Sequence, residues 1–469
     1  MKPLREYQQR AIAALTDVVE NGRRRVILRA PTGSGKTRIA REIVDLCVMR
    51  GADVVFVAPR NEILQQTSDE LDAAGIEHVV LQANHPKDHP VKVASVATLT
   101  RRTISHPDVL FLDEAHLWLD AAKTLVAKFP DAIVIGLTAT PERLDGRGLG
   151  EIYEEIIGVI ETADLIGDGF LVPAVVYGPS RPDLAGVRTT AGDYNRKDLA
   201  FVMDRAKIVG DVVETWKRLA VGRSTIVYAV SVEASQHLAE AFRAAGIEAE
   251  HVDAETPPEK RKDVVDRLRA GKLPVACNVE LFTYGLDVPC VSCVSMARPT
   301  KSLALYLQMT GRGLRPYENK QNLVVLDHAG NAFRHGLPDA VHEWTLEGAK
   351  RRESERPPAL RTCLECFAVY PSSKIFCPAC GAAAPYTPRV VEHVAGELEL
   401  VEPKPSRWSG LSDDARIRAF AKWLRTKSEA QAYAIYRSCF GTRPTPFIQK
   451  EAKRLNSYEG MSIAVKINV

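Results

Sequence analysis

Ala30-Pro31-Thr32-Gly33-Ser34-Gly35-Lys36-Thr37 stands between an apolar run, Val26–Leu28, and a helix-like stretch, Thr37–Met49. Strand, glycine turn and helix in that order wrap backbone N–H groups around an anion, and the helix N-terminus adds a favourable dipole. Gly33, Ser34 and Gly35 form the turn; Lys36 suits the β and γ phosphates of a nucleotide, and the Thr37 hydroxyl suits magnesium. The flanking strand and helix set this apart from a chance glycine turn.

Outward from that loop, strand-like runs at Val26–Leu28, Asp53–Ala58, Val91–Ser95, Val109–Leu112 and Ile133–Leu137 alternate with amphipathic stretches such as Thr37–Met49 and Asn61–Ala74. The alternation predicts a parallel sheet with helices on both faces. It breaks at Gly167–Pro173. A second series follows, with strands near Ser224–Ala229, Glu248–Val252, Val275–Asn278, Cys293–Ala297 and Leu323–Asp327, and helices at Val232–Ala245 and Glu259–Ala270. The expected fold class is therefore α/β, with two sheets in tandem.

The length, 469 residues, fits about three domains. Hydrophobic residues at 45% and charged residues at 26% exclude a disordered chain, a fibre and a coiled coil. No apolar run approaches the ~20 residues of a membrane span, and Met1–Glu6 lacks the apolar core of a secretory signal, so a cytoplasmic location is expected. Net charge is only +3, but from Arg407 onward there are 12 Lys+Arg against 5 Asp+Glu. That asymmetry fits either a polyanion partner or a solvated helical surface.

Val109–Leu112 leads directly into Asp113-Glu114-Ala115-His116, 77 residues after Lys36. An acid at the C-terminal end of a parallel strand lies in the ligand crevice. Asp113 is expected to hold magnesium, and Glu114 to orient and deprotonate the attacking water. Loop and acid pair together predict a nucleoside triphosphatase. In the second series stands Gln308-Met309-Thr310-Gly311-Arg312-Gly313-Leu314-Arg315. If helical, Gln308, Gly311, Arg312 and Arg315 share one face, and both guanidiniums could reach a γ-phosphate held by the other domain. A basic surface helix would have the same spacing.

With these residues in place, the chain resembles the superfamily 2 helicases with a DEAH-type second motif, over residues 4 to about 330. Ala30 at the start of the phosphate loop matches the helicase version. Further motifs occur in order. Leu4-Arg5-Glu6-Tyr7-Gln8 resembles the segment whose glutamine, Gln8, would read the adenine. Ala58-Pro59-Arg60 and Ser95-Val96-Ala97-Thr98-Leu99 resemble strand-binding motifs, implying Arg60 and Thr98 near a nucleic-acid backbone. Thr138-Ala139-Thr140-Pro141 resembles the motif coupling hydrolysis to domain movement. Thr283–Pro289 resembles the motif that touches nucleotide and strand, implying Gly285 and Asp287 at the nucleotide. The resemblance also implies that His116 and Gln308 link the nucleotide site to the domain interface.

Cys363-x-x-Cys366 and Cys377-x-x-Cys380 are two knuckles ten residues apart, a spacing that closes a tetrahedral zinc site; the duplication argues against a redox dithiol. Cys290 and Cys293 have no partner pair. Cys47, Cys277 and Cys439, set among apolar residues, are expected to be buried, and His85, His89 and His106 have no metal spacing. In the tail, Ile417, Phe420, Ala421 and Leu424 form one apolar stripe; Ser428 and Gln431 form a capping-box pattern, Gly441 suits a helix end, and Thr445-Pro446 suits a helix start. Tyr433, Tyr436 and Phe440 read as core more than as base-stacking residues. A zinc ribbon and helical tail behind two motor domains resemble bacterial RadD-type and phage helicases.

The expected organisation is two tandem RecA-like domains, an ATP-binding domain at 1–165 and a helicase C-terminal domain at 166–347, then a zinc ribbon at 359–384 and a basic helical tail at 408–469. Charged and proline-bearing linkers are expected at Lys350–Pro358 and Ala384–Pro405. The expected function is an ATP-dependent DNA helicase or translocase with ATP, magnesium and zinc as cofactors. Its expected partners are single-stranded or forked DNA and replication or repair proteins, with no membrane. Alternatives are an RNA helicase, the duplex-translocating motor of a restriction system, and a non-enzymatic binding module, the last leaving the ATP site unexplained.

Overall fold

The computed structural model describes residues 3–59, 61–81, 89–178, 189–190, 193–195, 206–283, 288–348, 359–384, 412–426, 429–440 and 442–464. It divides into two compact units, Met1–Tyr386 and Thr387–Val469. The larger unit holds two parallel sheets, as the alternating pattern predicts.

The first sheet contains β1 (Arg25–Arg29), β2 (Val54–Ala58), β3 (Val79–Leu81), β4 (Val91–Ser95), β5 (Val109–Asp113), β6 (Ile133–Thr138) and β7 (Glu155–Gly158). Their order is β3-β4-β2-β5-β6-β1-β7, every neighbour parallel. Helices cover both faces, so alternate residues enter two separate cores. Val26, Leu28, Phe56 and Phe111 enter one, while Ile27, Val55, Leu110 and Leu112 enter the other. Burial on both faces is why these strands read as continuous apolar runs. Because all seven run the same way, Ala30, Pro59, Ser95, Asp113 and Thr138 lie along one edge.

The second sheet follows β8 (Ala174–Tyr177) and a short antiparallel pair, β9 (Thr189–Thr190) with β10 (Asp193–Tyr194). It adds β11 (Thr225–Tyr228), β12 (Ala249–Val252), β13 (Val275–Asn278), β14 (Cys293–Met296) and β15 (Leu323–Asp327). The order is β12-β13-β11-β14-β15-β8, again all parallel. After β15 the chain returns to the first sheet's side: Gly150 N–H donates to the Leu346 carbonyl at 2.9 Å, and Arg147 bridges to Gly348. A Cβ on Gly148 would lie 1.9 Å from the Leu346 oxygen, so this crossing requires glycine.

A small hairpin, β16 (Leu360–Thr362) with β17 (Val369–Pro371), carries the cysteine knuckles. The described residues of the smaller unit form three helices, Asp413–Thr426, Glu429–Phe440 and Pro446–Ala464. Ile417, Phe420, Ala421, Tyr436 and Ile448 form its core, with Leu424, Tyr433 and Phe440 packed at its edge. The aromatic residues of the middle helix are thus mainly structural. Thr445 Oγ1 accepts from the Ile448 N–H at 3.3 Å, capping the last helix. Ser428 and Gly441 lie outside the described residues, as do His85 and most of both linkers. Cys277 is buried as expected, but Cys47 and Cys439, both on helices, are only half-buried. Among the described residues no helix is long and apolar enough to cross a membrane.

Candidate active site

β1 ends at Arg29, and the loop Ala30–Gly35 leads into the helix Lys36–Met49. Gly33 and Gly35 take φ of +86° and +82°, a left-handed backbone open to glycine at little cost. Space is equally restrictive: a Cβ on Gly35 would sit 2.9 Å from Gln8 Nε2. Ser34 is buried, its hydroxyl donating to the Pro31 carbonyl at 2.7 Å. Lys36 Nζ donates to the Ala30 carbonyl at 3.1 Å, and Thr37 follows in the first helical turn. Burial lowers the Lys36 ammonium below the ordinary lysine value, while Glu114 and Asp113 act to raise it.

Gln8 is buried and braces this loop. Its amide donates to the Ser34 carbonyl at 3.2 Å and accepts from the Arg5 N–H at 3.0 Å. Tyr7 OH donates to the same Ser34 carbonyl. Beside them the Arg5 guanidinium lies 3.8 Å from the centroid of the Phe170 ring. Neither Tyr7 nor Phe170 stood out in the sequence. Phe170 falls in the Gly167–Pro173 break, where only its aromaticity marks it.

Asp113 closes β5. Desolvation, with Glu114 beside it, pushes its carboxyl up to about 7. Such an undercompensated carboxylate and the Thr37 hydroxyl are hard oxygen donors of the kind magnesium prefers, so these two residues fit that ion. Glu114 has φ +46°, a left-handed conformation costing a non-glycine residue on the order of 1–3 kcal/mol. Its N–H donates to Asp113 Oδ1 at 2.9 Å, and its carboxylate comes within 3.5 Å of His116 Nδ1.

His116 is buried, which lowers its pKa and favours the neutral ring. Its Nε2 lies 2.7 Å from the Gln308 amide nitrogen of the second sheet's unit, and its Nδ1 lies 2.8 Å from Thr138 Oγ1. Gln308 can only donate there, so the proton belongs on Nδ1 and is given to Thr138. Thr138 Oγ1 in turn donates to the Thr140 carbonyl at 3.0 Å. One directional chain therefore joins Gln308, His116, Thr138 and Thr140.

The helix Leu303–Gly311 is shorter than its motif suggests. Arg312–Leu314 forms a 3₁₀ turn, and Arg315 is extended, with φ −65° and ψ 137°. The single helical face expected for Gln308 through Arg315 therefore fails at its last member. Pro316 explains this, since a residue before proline is driven out of the helical region. Arg315 gains reach: its Cγ lies 3.5 Å from where a Gly33 Cβ would be, and a Gly311 Cβ would lie 2.9 Å from Thr32. Arg312 is buried in the same interface, and both arginines act on Lys36.

Thr98 lies at the same sheet edge, in the short helix Val96–Arg101, with its N–H donating to Ser95 Oγ at 3.1 Å. Arg60, Gly285 and Asp287 lie outside the described residues.

In the ribbon, Cys363, Cys366, Cys377 and Cys380 place all four Sγ atoms within 4.8 Å of one another. Cys363–Cys380 and Cys366–Cys377 are 3.6 and 3.7 Å apart. Thiolates ~2.3 Å from a tetrahedral zinc stand about 3.8 Å apart, so the cage fits that ion. Phe367 and Gly381, each following the second cysteine of a knuckle, share left-handed φ values of 64° and 75°. Backbone N–H groups, Cys366's foremost, draw the Cys363 thiol down to about 7. Cys377→Ser is expected to lose one zinc per chain and unfold the hairpin locally while basal ATPase persists; metal analysis with turnover assays checks both.

Two family models match the chain: Type III restriction enzyme, res subunit, over residues 1–143, and helicase conserved C-terminal domain over residues 207–316. A 51.5 kDa protein of a Lactococcus phage is 32% identical over 394 residues, 82% of this chain and 84% of its own. The chain belongs to the superfamily 2 helicases. A Saccharomyces cerevisiae protein named as an ATP-dependent helicase, IRC3, is 29% identical over 357 residues, 70% of this helicase and 51% of its own length. The helicase thus spans about half of that relative. Among solved structures, a fragment of an HsdR subunit of a type I restriction enzyme from Vibrio vulnificus is similar with a TM-score of 0.58 at 22% identity, covering 71% of this helicase and 67% of that chain. That likeness concerns the fold.

Proposed function

We propose that this helicase is an ATP-driven DNA motor. ATP binds at Gly33–Thr37, Glu114 activates the attacking water, and Arg312 and Arg315 stabilise charge on the γ-phosphate. Gln8 braces the phosphate loop and helps form the adenine side of the site. Thr37 and Asp113 would hold magnesium, which would supply charge neutralisation at the phosphates. Arg60 and Thr98 contact the strand backbone, and Gly285 and Asp287 meet the nucleotide from the second domain. The observation that carries this reading is the Gln308–His116–Thr138–Thr140 chain. It starts in one domain, passes Glu114, and ends in the segment expected to couple hydrolysis to movement.

DNA rather than RNA is supported by the restriction-enzyme model that matches residues 1–143, and the basic tail supplies additional phosphate affinity. The same match favours a second reading, translocation along duplex without unwinding. A role in repair, recombination or replication accords with the first reading. ATP turnover measured with single-stranded DNA, duplex, forked DNA and RNA separates them. Strongest stimulation by single-stranded or forked DNA supports the helicase, and duplex alone supports the restriction-type motor. RNA alone overturns the assignment to DNA.

A further inference from the structure

Lys320 lies five residues beyond Arg315, at the end of a tight loop. Asn319 before it takes φ +60°, and the Lys320 N–H donates to the Tyr317 carbonyl at 3.1 Å, folding the chain back on itself. The side chain then turns inward. Its ammonium donates to the carbonyls of Pro289 at 3.0 Å, Val291 at 2.5 Å and Arg315 at 2.7 Å. An ammonium has three N–H groups, and here all three go to main-chain carbonyls. This is a clamp between two backbone segments rather than an ion pair.

One segment is buried and tied into the sheet. Val291 is fully buried, its N–H donates to the Val288 carbonyl at 3.2 Å, and it leads directly into β14. The other segment carries the finger. Arg315 leaves the 3₁₀ turn in an extended conformation fixed on its C-terminal side by Pro316, and the Leu314 carbonyl before it accepts from the Val172 N–H at 2.9 Å. Lys320 adds a further point of attachment, at the Arg315 carbonyl itself.

We propose that Lys320 is a positioning residue for Arg315: it anchors the finger's backbone to the turn Val288–Val291, so the guanidinium meets the Gly33 loop already oriented. The proposal rests on the reading of Arg315 as a γ-phosphate finger. It adds that the finger's placement is set from the segment following Thr283–Asp287. A group held in the reacting position costs little reorganisation, and misplacing it by about 1 Å costs on the order of 10²-fold in rate.

The test uses the full chain with Lys320→Met, which keeps most of the unbranched side chain and donates nothing, and Lys320→Gln, which keeps two donors. Lys320→Met is expected to lower kcat of DNA-stimulated ATP hydrolysis by on the order of 10²-fold with little change in ATP affinity, and Lys320→Gln to fall between. In an Arg315→Ala background neither substitution lowers kcat further, because the group it positions is gone. Wild-type kcat in Lys320→Met, or a full additional loss on top of Arg315→Ala, overturns the proposal. If the methionine variant does not fold, the glutamine variant in the same two backgrounds decides. Unaltered turnover in Arg315→Ala alone is a separate outcome and removes the finger itself.

Discussion

Replacing Arg315 by alanine is expected to lower ATP turnover by roughly 10³–10⁵-fold while leaving ATP affinity little changed. The magnitude follows from where the guanidinium sits. Arg315 is carried by the second sheet's domain, yet its side chain packs against Gly33 of the phosphate loop. A positive charge arriving from the opposite wall of a desolvated cleft acts on charge that develops only in the transition state. Ground-state binding depends mainly on the loop's own N–H groups and Lys36. Single-turnover hydrolysis alongside nucleotide binding measures both. Unaltered turnover would mean that the two domains do not share a nucleotide.

Glu114→Gln is expected to reduce hydrolysis by roughly 10²–10⁴-fold, the contribution typical of a general base, and to retain ATP binding. Glutamine preserves the size and the contact toward His116 but cannot take a proton. Asp113 remains to hold magnesium, so the nucleotide still binds. The left-handed backbone at Glu114 argues for function at this position, since strain of that kind persists where the surroundings enforce it. Lys36→Ala, by contrast, is expected to lose hydrolysis together with the phosphate contact. Near-normal turnover in Glu114→Gln removes Glu114 as the base.

Ten strands of the two sheets were readable, most of them because both faces are buried. A run such as Val54–Ala58, every residue buried, leaves little other interpretation. Three of the four edge strands were not readable. Val79–Leu81, Glu155–Gly158 and Ala174–Tyr177 are only partly buried, so their composition carries no strong pattern. The loop and acid pair were legible because phosphate chemistry demands particular residues at fixed spacing. What the motifs could not convey was the departure of Arg315 from helical geometry, although Pro316 was present to indicate it. Nor could local pattern reveal contacts across long separations, such as Leu346 against Gly148 or Lys320 against Pro289. Those are set by the tertiary path of the backbone, and carbonyl acceptors leave no trace in side-chain identity.

Hydrolysis in this cleft is proposed to drive movement along DNA. Displacement of streptavidin from end-biotinylated single-stranded DNA tests it most directly, with Lys36→Ala as the inactive comparison. Displacement is expected to require ATP, to be faster from one end than the other, and to be absent in Lys36→Ala. DNA-stimulated ATP hydrolysis with no displacement from either end would contradict it.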